Sequence, residues 1–308
     1  MAELLAVCNG GAGSADDAAR DAALKTLRAG ADVVEVTAGE GERDLGEALD
    51  AHPGRDVVVM GGDGSLHVTV AALHRRGELG SRVVGLIPMG TGNDFARGLG
   101  IPLDPQEAAR VVLAGRPRPL DLLVDDEGGI VVNAVHLGVG AEASERATPL
   151  KPGLGKLAYA VGALLAGVRS TGWRLRVTVD GRTLTDRRVL MLGVGNGVTI
   201  GGGTPLAPEA RPDDGMVDVV AALTTGPVRR LVYALRLRGG RHPELRDVVT
   251  ARGRDVAVEG EPVPANADGE LTGPAARRHW RVAPAAWRMF AQDSYGLSPR
   301  ASRSRPAL

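Results

Sequence analysis

Chemistry is concentrated in four short segments where glycine mixes with hydroxyl and carboxylate side chains. Gly61-Gly62-Asp63-Gly64-Ser65 follows the apolar run at 56–60 and precedes a helical pattern. Backbone N–H groups and the positive end of a helix then face one point, an arrangement that holds phosphate. Asp63 adds a carboxylate suited to Mg²⁺, chiefly through water; taken alone, the segment is as readily a Gly-Asp-Gly turn. Ile87–Gly100, IPMGTGNDFARGLG, offers Thr91 for a phosphate or ribose, Asn93 to orient the loop, and Asp94 as a metal ligand, a helix cap, or both. Asn9-Gly10-Gly11-Ala12-Gly13 closes the first apolar run and is able to cradle a phosphate, but has Asp16 where a GxGxxG fingerprint has its third glycine. No Walker P-loop occurs. Ala267-Asp268-Gly269-Glu270 is an ordinary turn in isolation and an acid–base pair if carried to such a site.

Other titratable groups carry less. His67 is able to donate to a phosphate, although a lone histidine on a helix is usually structural or solvent-facing. His52, His74, His136, His242 and His279 show no metal-ligand spacing. Cys8 has no partner for an internal disulfide and reads as a buried strand residue, which fits a reducing compartment. Asp213-Asp214-Gly215 reads as a hairpin turn.

The elements that must position these residues fall into two patterns. Apolar runs near 4–8, 32–36, 56–60 and 82–87 alternate with helical patterns near 16–29, 65–76 and 104–114. Such alternation predicts a mostly parallel sheet between helices, three layers in all, with the glycine-rich loops converging at the carboxyl ends of the strands. From about Leu120 paired extended runs take over, with Asp180-Gly181 as a strong hairpin signal, and predict a β-rich, antiparallel second domain. Helices are expected within it near 155–170 and 227–238. The expected layout is a nucleotide-binding domain at 1–120 completed by a returning segment at 280–297, a β-rich domain at 121–279, and a disordered tail at 298–308.

Composition narrows the functions. The 308 residues carry 37 basic and 37 acidic side chains, so no overall field recruits nucleic acid, and 3% aromatic content is too little for base-stacking platforms. The start MAELLAVCNG lacks a basic segment and reads as a strand, not a signal peptide. The lipid-like stretch at 157–168 falls short of the roughly 20 apolar residues that span a bilayer. The expected location is cytoplasmic, with any membrane contact peripheral. Helix 227–238 sets Leu231, Val232 and Leu235 against Arg229, Arg230, Arg236 and Arg238, a pattern suited to an anionic surface or simply to packing on a sheet.

GGDGS followed one strand later by PMGTGNDFARGLG resembles the diacylglycerol kinase catalytic domain family of the NAD kinase and diacylglycerol kinase superfamily. The resemblance continues through Arg118-Pro-Leu-Asp121, Gly195-Asn196-Gly with GGG, LAPEARPDDGMVDVV, GGRHPELRDV, VPANADGEL and HWRVAPAAWRMF, covering about residues 3–290. It implies a soluble lipid kinase that transfers the γ-phosphoryl group of ATP to a lipid hydroxyl, diacylglycerol by default. By resemblance, Asn9, Gly10, Gly11, Gly13, Thr37, Gly62, Asp63, Gly64, Ser65, Thr91 and Asn93 bind ATP. Asp63, Asp94 and Asp121 form a network around catalytic Mg²⁺, while Asp268 and Glu270 activate the acceptor hydroxyl. Asp214, with carbonyls near Arg211 and Met216, resembles a structural Mg²⁺ site. The chain departs from the family at Asn9-Gly10, where Asn-Pro is usual, at Ser65 for Thr, and at His67-Val68 for Asn-Glu. Two other readings stay open: a soluble-substrate kinase such as NAD kinase, and a nucleotide-binding regulator without catalysis. The implied partners are a lipid substrate and transient membrane contact; a homodimer is neither required nor excluded.

Overall fold

A computed structural model of the chain describes residues 1–9, 14–38, 42–139, 141, 170–223 and 226–292. The first half alternates as its pattern predicts: β1 Ala2–Asn9, α1 Ser14–Arg28, β2 Ala31–Ala38, α2 Glu42–Ala51, β3 Asp56–Gly61, α3 Asp63–Arg75, β4 Val83–Pro88, α4 Asp94–Gly98 and α5 Pro105–Ala114. Strands β2, β1, β3 and β4 pair in that order, all parallel. Every residue of β4, and all but the first of β3, is buried, as expected for strands covered on both faces. Helix α5 starts where Asp104 caps it, the side chain accepting from Glu107 N–H at 2.9 Å with Pro105 in the first turn. Helix α2 was not expected from the sequence; Leu45 and Leu49, four apart, form its buried face.

The second half is antiparallel. It comprises β5 Arg116–Asp125, β6 Ile130–Val131, β7 Ala134–Gly138, β8 Trp173–Val179, β9 Arg182–Gly195, the hairpin β10 Thr199–Ile200 and β11 Thr204–Pro205, β12 Val217–Leu223, α6 Pro227–Arg238, β13 Val248–Gly253, β14 Asp255–Ala267 and β15 Glu270–Ala291. Asp180 and Gly181, at φ 49° and 74°, turn β8 into β9, the left-handed pair that a tight hairpin requires. The helix expected near 155–170 and the tail at 298–308 lie outside the described residues.

Strand β15 joins the two halves. Its early part pairs with β14 and its end runs parallel to β4, Arg288 opposite Val83 and Met289 opposite Val84. One long sheet therefore crosses the molecule, and β15 serves two cores: Trp280 packs with the β-rich cluster, Trp287 and Met289 with the α/β cluster.

Candidate active site

Because β2, β1, β3 and β4 are parallel, their carboxyl ends, near Thr37, Asn9, Gly61 and Pro88, lie along one edge of the sheet. Thr37 and Thr91 are exposed there. Gly10, Gly11 and Gly13 lie outside the described residues. The loops after β3 and β4 touch backbone to backbone. A methyl on Gly90 would sit 2.6 Å from Gly62 Cα and 2.9 Å from Asn93 Oδ1, so the approach requires glycine. Asn93, left-handed at φ 50°, holds Gly90 at both polar atoms: its Oδ1 accepts from Gly90 N–H at 3.0 Å and its amide donates to the Gly90 carbonyl at 2.7 Å. Gly64 and Ser65 form the first turn of α3.

Asp63 reaches from α3 to the neighbouring loop, where its two oxygens accept from Asp94 N–H and Phe95 N–H, each at 3.0 Å. Asp63 thereby satisfies the start of α4. Asp94 is not that helix's cap: Asn93 occupies the cap position, and the Asp94 carboxylate turns to the β10–β11 hairpin, accepting from Gly202 and Gly203 N–H at 2.7 Å each. Those glycines, at φ 83° and 111°, present successive N–H groups that few other residues would allow.

The ADGE turn meets this site. Asp268, left-handed at φ 49°, lies at the turn between β14 and β15. Its Oδ1 accepts from Asn133 and Ala134 N–H at 2.9 and 3.0 Å, and its Oδ2 from Val132 N–H at 2.6 Å. His67 Nδ1, on α3, lies 2.8 Å from the same Oδ2. The Asp268 side chain is 2% exposed and that of His67 13%, whereas Glu270 is exposed. Burial holds the Asp63 carboxyl above its usual range, and the neighbouring Asp94 and Asp268 charges add to the effect, against the two amide bonds that lower it. Burial opposes a charged His67, but the bond and charge of Asp268, with Glu270, outweigh it and raise His67 above its ordinary value.

Asp121 belongs to another cluster. It accepts from Gly215 N–H at 2.6 Å and Ala285 N–H at 2.8 Å, and the charges acting on it are those of Asp214 and Asp213. Asp214 accepts from Met216 N–H at 3.1 Å and pairs with Arg252, while Arg211 pairs with Asp213; a guanidinium thus already supplies positive charge beside Asp214. Among the described residues no three Asp, Glu, His or Cys side chains cluster to hold a metal unaided. The site beside Asp63 does fit Mg²⁺ of the kind that keeps its waters and is held by one or two carboxylates with substrate phosphates. Each Asp63 oxygen retains an accepting position, and its burial among carboxylates is eased by a cation.

Residue patterns missed several contributors. The N–H groups of Val132, Asn133 and Ala134 hold Asp268 through the backbone, so their side chains leave no signal. His67 stood out by type, but its partner lies 201 residues away. Only the GGG run hinted at the hairpin that receives Asp94.

Residues 3–124 match the diacylglycerol kinase catalytic domain, and residues 133–291 match the YegS C-terminal NAD kinase beta sandwich-like domain. The chain belongs to the diacylglycerol kinase family of lipid kinases. This lipid kinase family member is 32% identical over 254 residues to a probable lipid kinase YegS-like of Stenotrophomonas maltophilia, covering 79% of this chain and 80% of the relative. It is 30% identical over 272 residues to a diacylglycerol kinase of Mycobacterium tuberculosis, covering 86% of each. Its fold is similar to a putative diacylglycerol kinase from Bacillus anthracis at TM-score 0.75 and 20% identity, over 94% and 95% of the two chains.

Proposed function

We propose that the chain transfers the γ-phosphoryl group of ATP to the hydroxyl of a lipid, with diacylglycerol the first substrate to test. The observation that carries this reading is the contact between His67 and Asp268 at 2.8 Å. It sets the ADGE turn of the β-rich half beside the helix that begins with GGDGS, so acceptor-side groups stand next to phosphate-side loops. Such transfer depends mainly on alignment and on charge placed around the phosphoryl oxygens. The amides of Gly64, Ser65 and the start of α3 face the phosphates, Asn93 keeps the second loop shaped against the first, and Thr91 lies in that loop. Asp63 is the residue that would hold Mg²⁺, which when bound neutralises phosphate charge. The turn at 267–270 closes the acceptor side.

The lipid is reached at a surface. Helix α6 has no buried residue and exposes Val228 at 74% and Leu235 at 67%, with Leu231 and Val232 between them. Arg229, Arg230, Arg236 and Arg238 lie on the same helix and Arg241 just beyond. Asp247 pairs with Arg229, and Glu244 with Arg236 and Arg241, so arginines outnumber the acids facing them. This supports peripheral docking on an anionic membrane. No helix of the described residues is long and apolar enough to cross one.

The deciding experiment is transfer from labelled ATP to a panel of lipids in mixed micelles, with NAD as a soluble acceptor. Label in a lipid but not in NAD is the expected result. Label in NAD alone favours the soluble-substrate kinase, and tight ATP binding without transfer to any acceptor favours a regulator.

A further inference from the structure

The β10–β11 hairpin has two residues to a strand, too few to hold its own place, so its position depends on what grips its ends. At the tip, Gly202 and Gly203 donate to the Asp94 carboxylate. On its first strand, Thr199 Oγ1 donates to the Asp94 carbonyl at 3.3 Å, and the Thr199 carbonyl accepts from the Asn133 side-chain amide at 2.8 Å. Asn133 is one of the residues whose N–H holds Asp268. The hairpin therefore touches both the phosphate side and the acceptor side of the site.

Its other end leads to helix α6. Pro205 and Pro208 close on Gly240, just beyond that helix: a methyl there would lie 3.4 Å from Pro205 Cβ and 3.6 Å from Pro208 Cγ. His242 is fully buried, and its Nε2 donates to the Leu206 carbonyl at 3.1 Å. Tyr233, from α6 itself, meets the His242 ring edge-on with centroids 5.8 Å apart and packs on the cluster that contains Leu206 and Ala207. Tyr233 is thus an inward anchor on a helix whose Val228, Leu231, Val232 and Leu235 face solvent. An element with so little buried is held weakly.

Building on the lipid-kinase reading, we infer that a bilayer bearing anionic lipid, by seating α6, fixes the β10–β11 hairpin on Asp94 and so raises turnover as well as bringing the enzyme to its substrate. Charge names the occupant: Arg229, Arg230, Arg236, Arg238 and Arg241 stand against Asp247 and Glu244. The coupling runs through contact. A seated α6 holds Tyr233 and His242, these hold Leu206, and the hairpin that ends there keeps its N–H groups on Asp94. A released hairpin takes two donors away from Asp94 beside Asp63. The entropy loss of ordering the hairpin then falls on docking and not on the reaction. Docking alone would lower the amount of lipid surface needed for half-maximal rate, whereas coupling raises kcat once all the enzyme is bound.

Hydrogen exchange at Gly202 and Gly203 is read without ATP or acceptor, on vesicles of phosphatidylcholine alone or mixed with phosphatidylserine. In parallel, kcat is read with ATP and diacylglycerol in saturating mixed micelles with and without phosphatidylserine. Wild type, Leu231→Gln with Leu235→Gln, His242→Ala and His242→Gln are compared, with melting temperature and vesicle sedimentation on each. Phosphatidylserine should slow exchange at the two glycines and raise kcat, each about 5-fold or more, the scale of allosteric coupling. The double leucine variant should lose both responses along with its sedimentation. His242→Ala should sediment, and turn over on neutral micelles, as wild type does but lose both responses; His242→Gln, whose amide reaches the Leu206 carbonyl from the same place, should restore them. Unchanged exchange in vesicle-bound wild type overturns the coupling, and that measurement requires no variant to fold. Slowed exchange with unchanged kcat overturns the effect on turnover, and full responses in a folded His242→Ala overturn the route through His242. A wild type that does not sediment with anionic vesicles overturns the docking and the coupling together. A wild type inactive on every lipid overturns the kinase reading, while the exchange response, read without substrate, still decides the coupling.

Discussion

Replacing Asp63 with Asn keeps one oxygen for the N–H groups of Asp94 and Phe95 but removes the charge. The expected outcome is a stability loss of about 1 kcal/mol, as for one net hydrogen bond, with kcat lower by about 10²-fold or more, as when a group aimed at developing charge is lost. Thermal melts and turnover on the same protein separate the two, and wild-type kcat in a folded variant would remove Asp63 from the site. The glycines divide by neighbourhood. Gly90→Ala must push against Gly62 Cα, which cannot rotate away, so a loss of about 1–3 kcal/mol is expected by analogy with overpacking. Gly64→Ala meets nothing within 4 Å and should melt no lower than wild type; equal melting of the two variants would contradict this loop geometry. His136 gives a pH signature. It is buried, its Nδ1 has no partner, and burial drops its pKa to about 4. The unfolded chain protonates it near its ordinary pKa and the folded chain only near 4, so its contribution is fully present above the higher value and is lost as pH falls between them. The loss approaches about 3 kcal/mol. His136→Gln should flatten that part of the melting temperature against pH, and an unchanged acid slope would show that His136 does not titrate as described.

At the scale of elements, carboxylates on one segment fasten the backbone of another. Asp94 holds the β10–β11 hairpin, Asp121 links the turn before β12 to β15, and Asp268 holds the residues entering β7. Asp94→Ala should therefore free the hairpin, seen as faster hydrogen exchange at Gly202 and Gly203, with protection in β3 and β4 unchanged. Unchanged exchange at the hairpin would refute the clamp. Helix α6 behaves in the opposite way: Tyr233 packs against the β-rich half, but Leu231 and Leu235 are exposed, so Leu231→Gln with Leu235→Gln should leave melting unchanged and weaken sedimentation with anionic vesicles. Vesicle binding at wild-type strength would rule out α6 as the docking face. The alternating half, the Asp180-Gly181 hairpin and helix α6 were legible because each rests on local periodicity or turn chemistry. Helix α2 was not, since Leu45 and Leu49 alone mark its buried face. The partners of Asp94 and Asp268 were illegible for another reason: they are backbone groups brought close by strands far apart in sequence.

Across the whole molecule, β15 carries the most. Trp287 is 1% exposed, stacks on Phe95 with centroids 5.8 Å apart, and donates from Nε1 to the Asp121 carbonyl at 3.1 Å. Trp287→Ala should cost about 3–5 kcal/mol, and calorimetry should show the two cores losing stability together because one strand serves both. Two separated transitions, with the β-rich one unmoved, would argue against that coupling. The same strand sets an order on synthesis. A ribosome delivers the parallel strands first, yet β4 waits for a neighbour some 200 residues further along. Until then its edge is open to the wrong strand, a known hazard of unpaired edges in slow-forming sheets. A nascent chain halted before Trp280 would lack the strand that covers this edge, and release of such chains should favour aggregation over any partly working kinase.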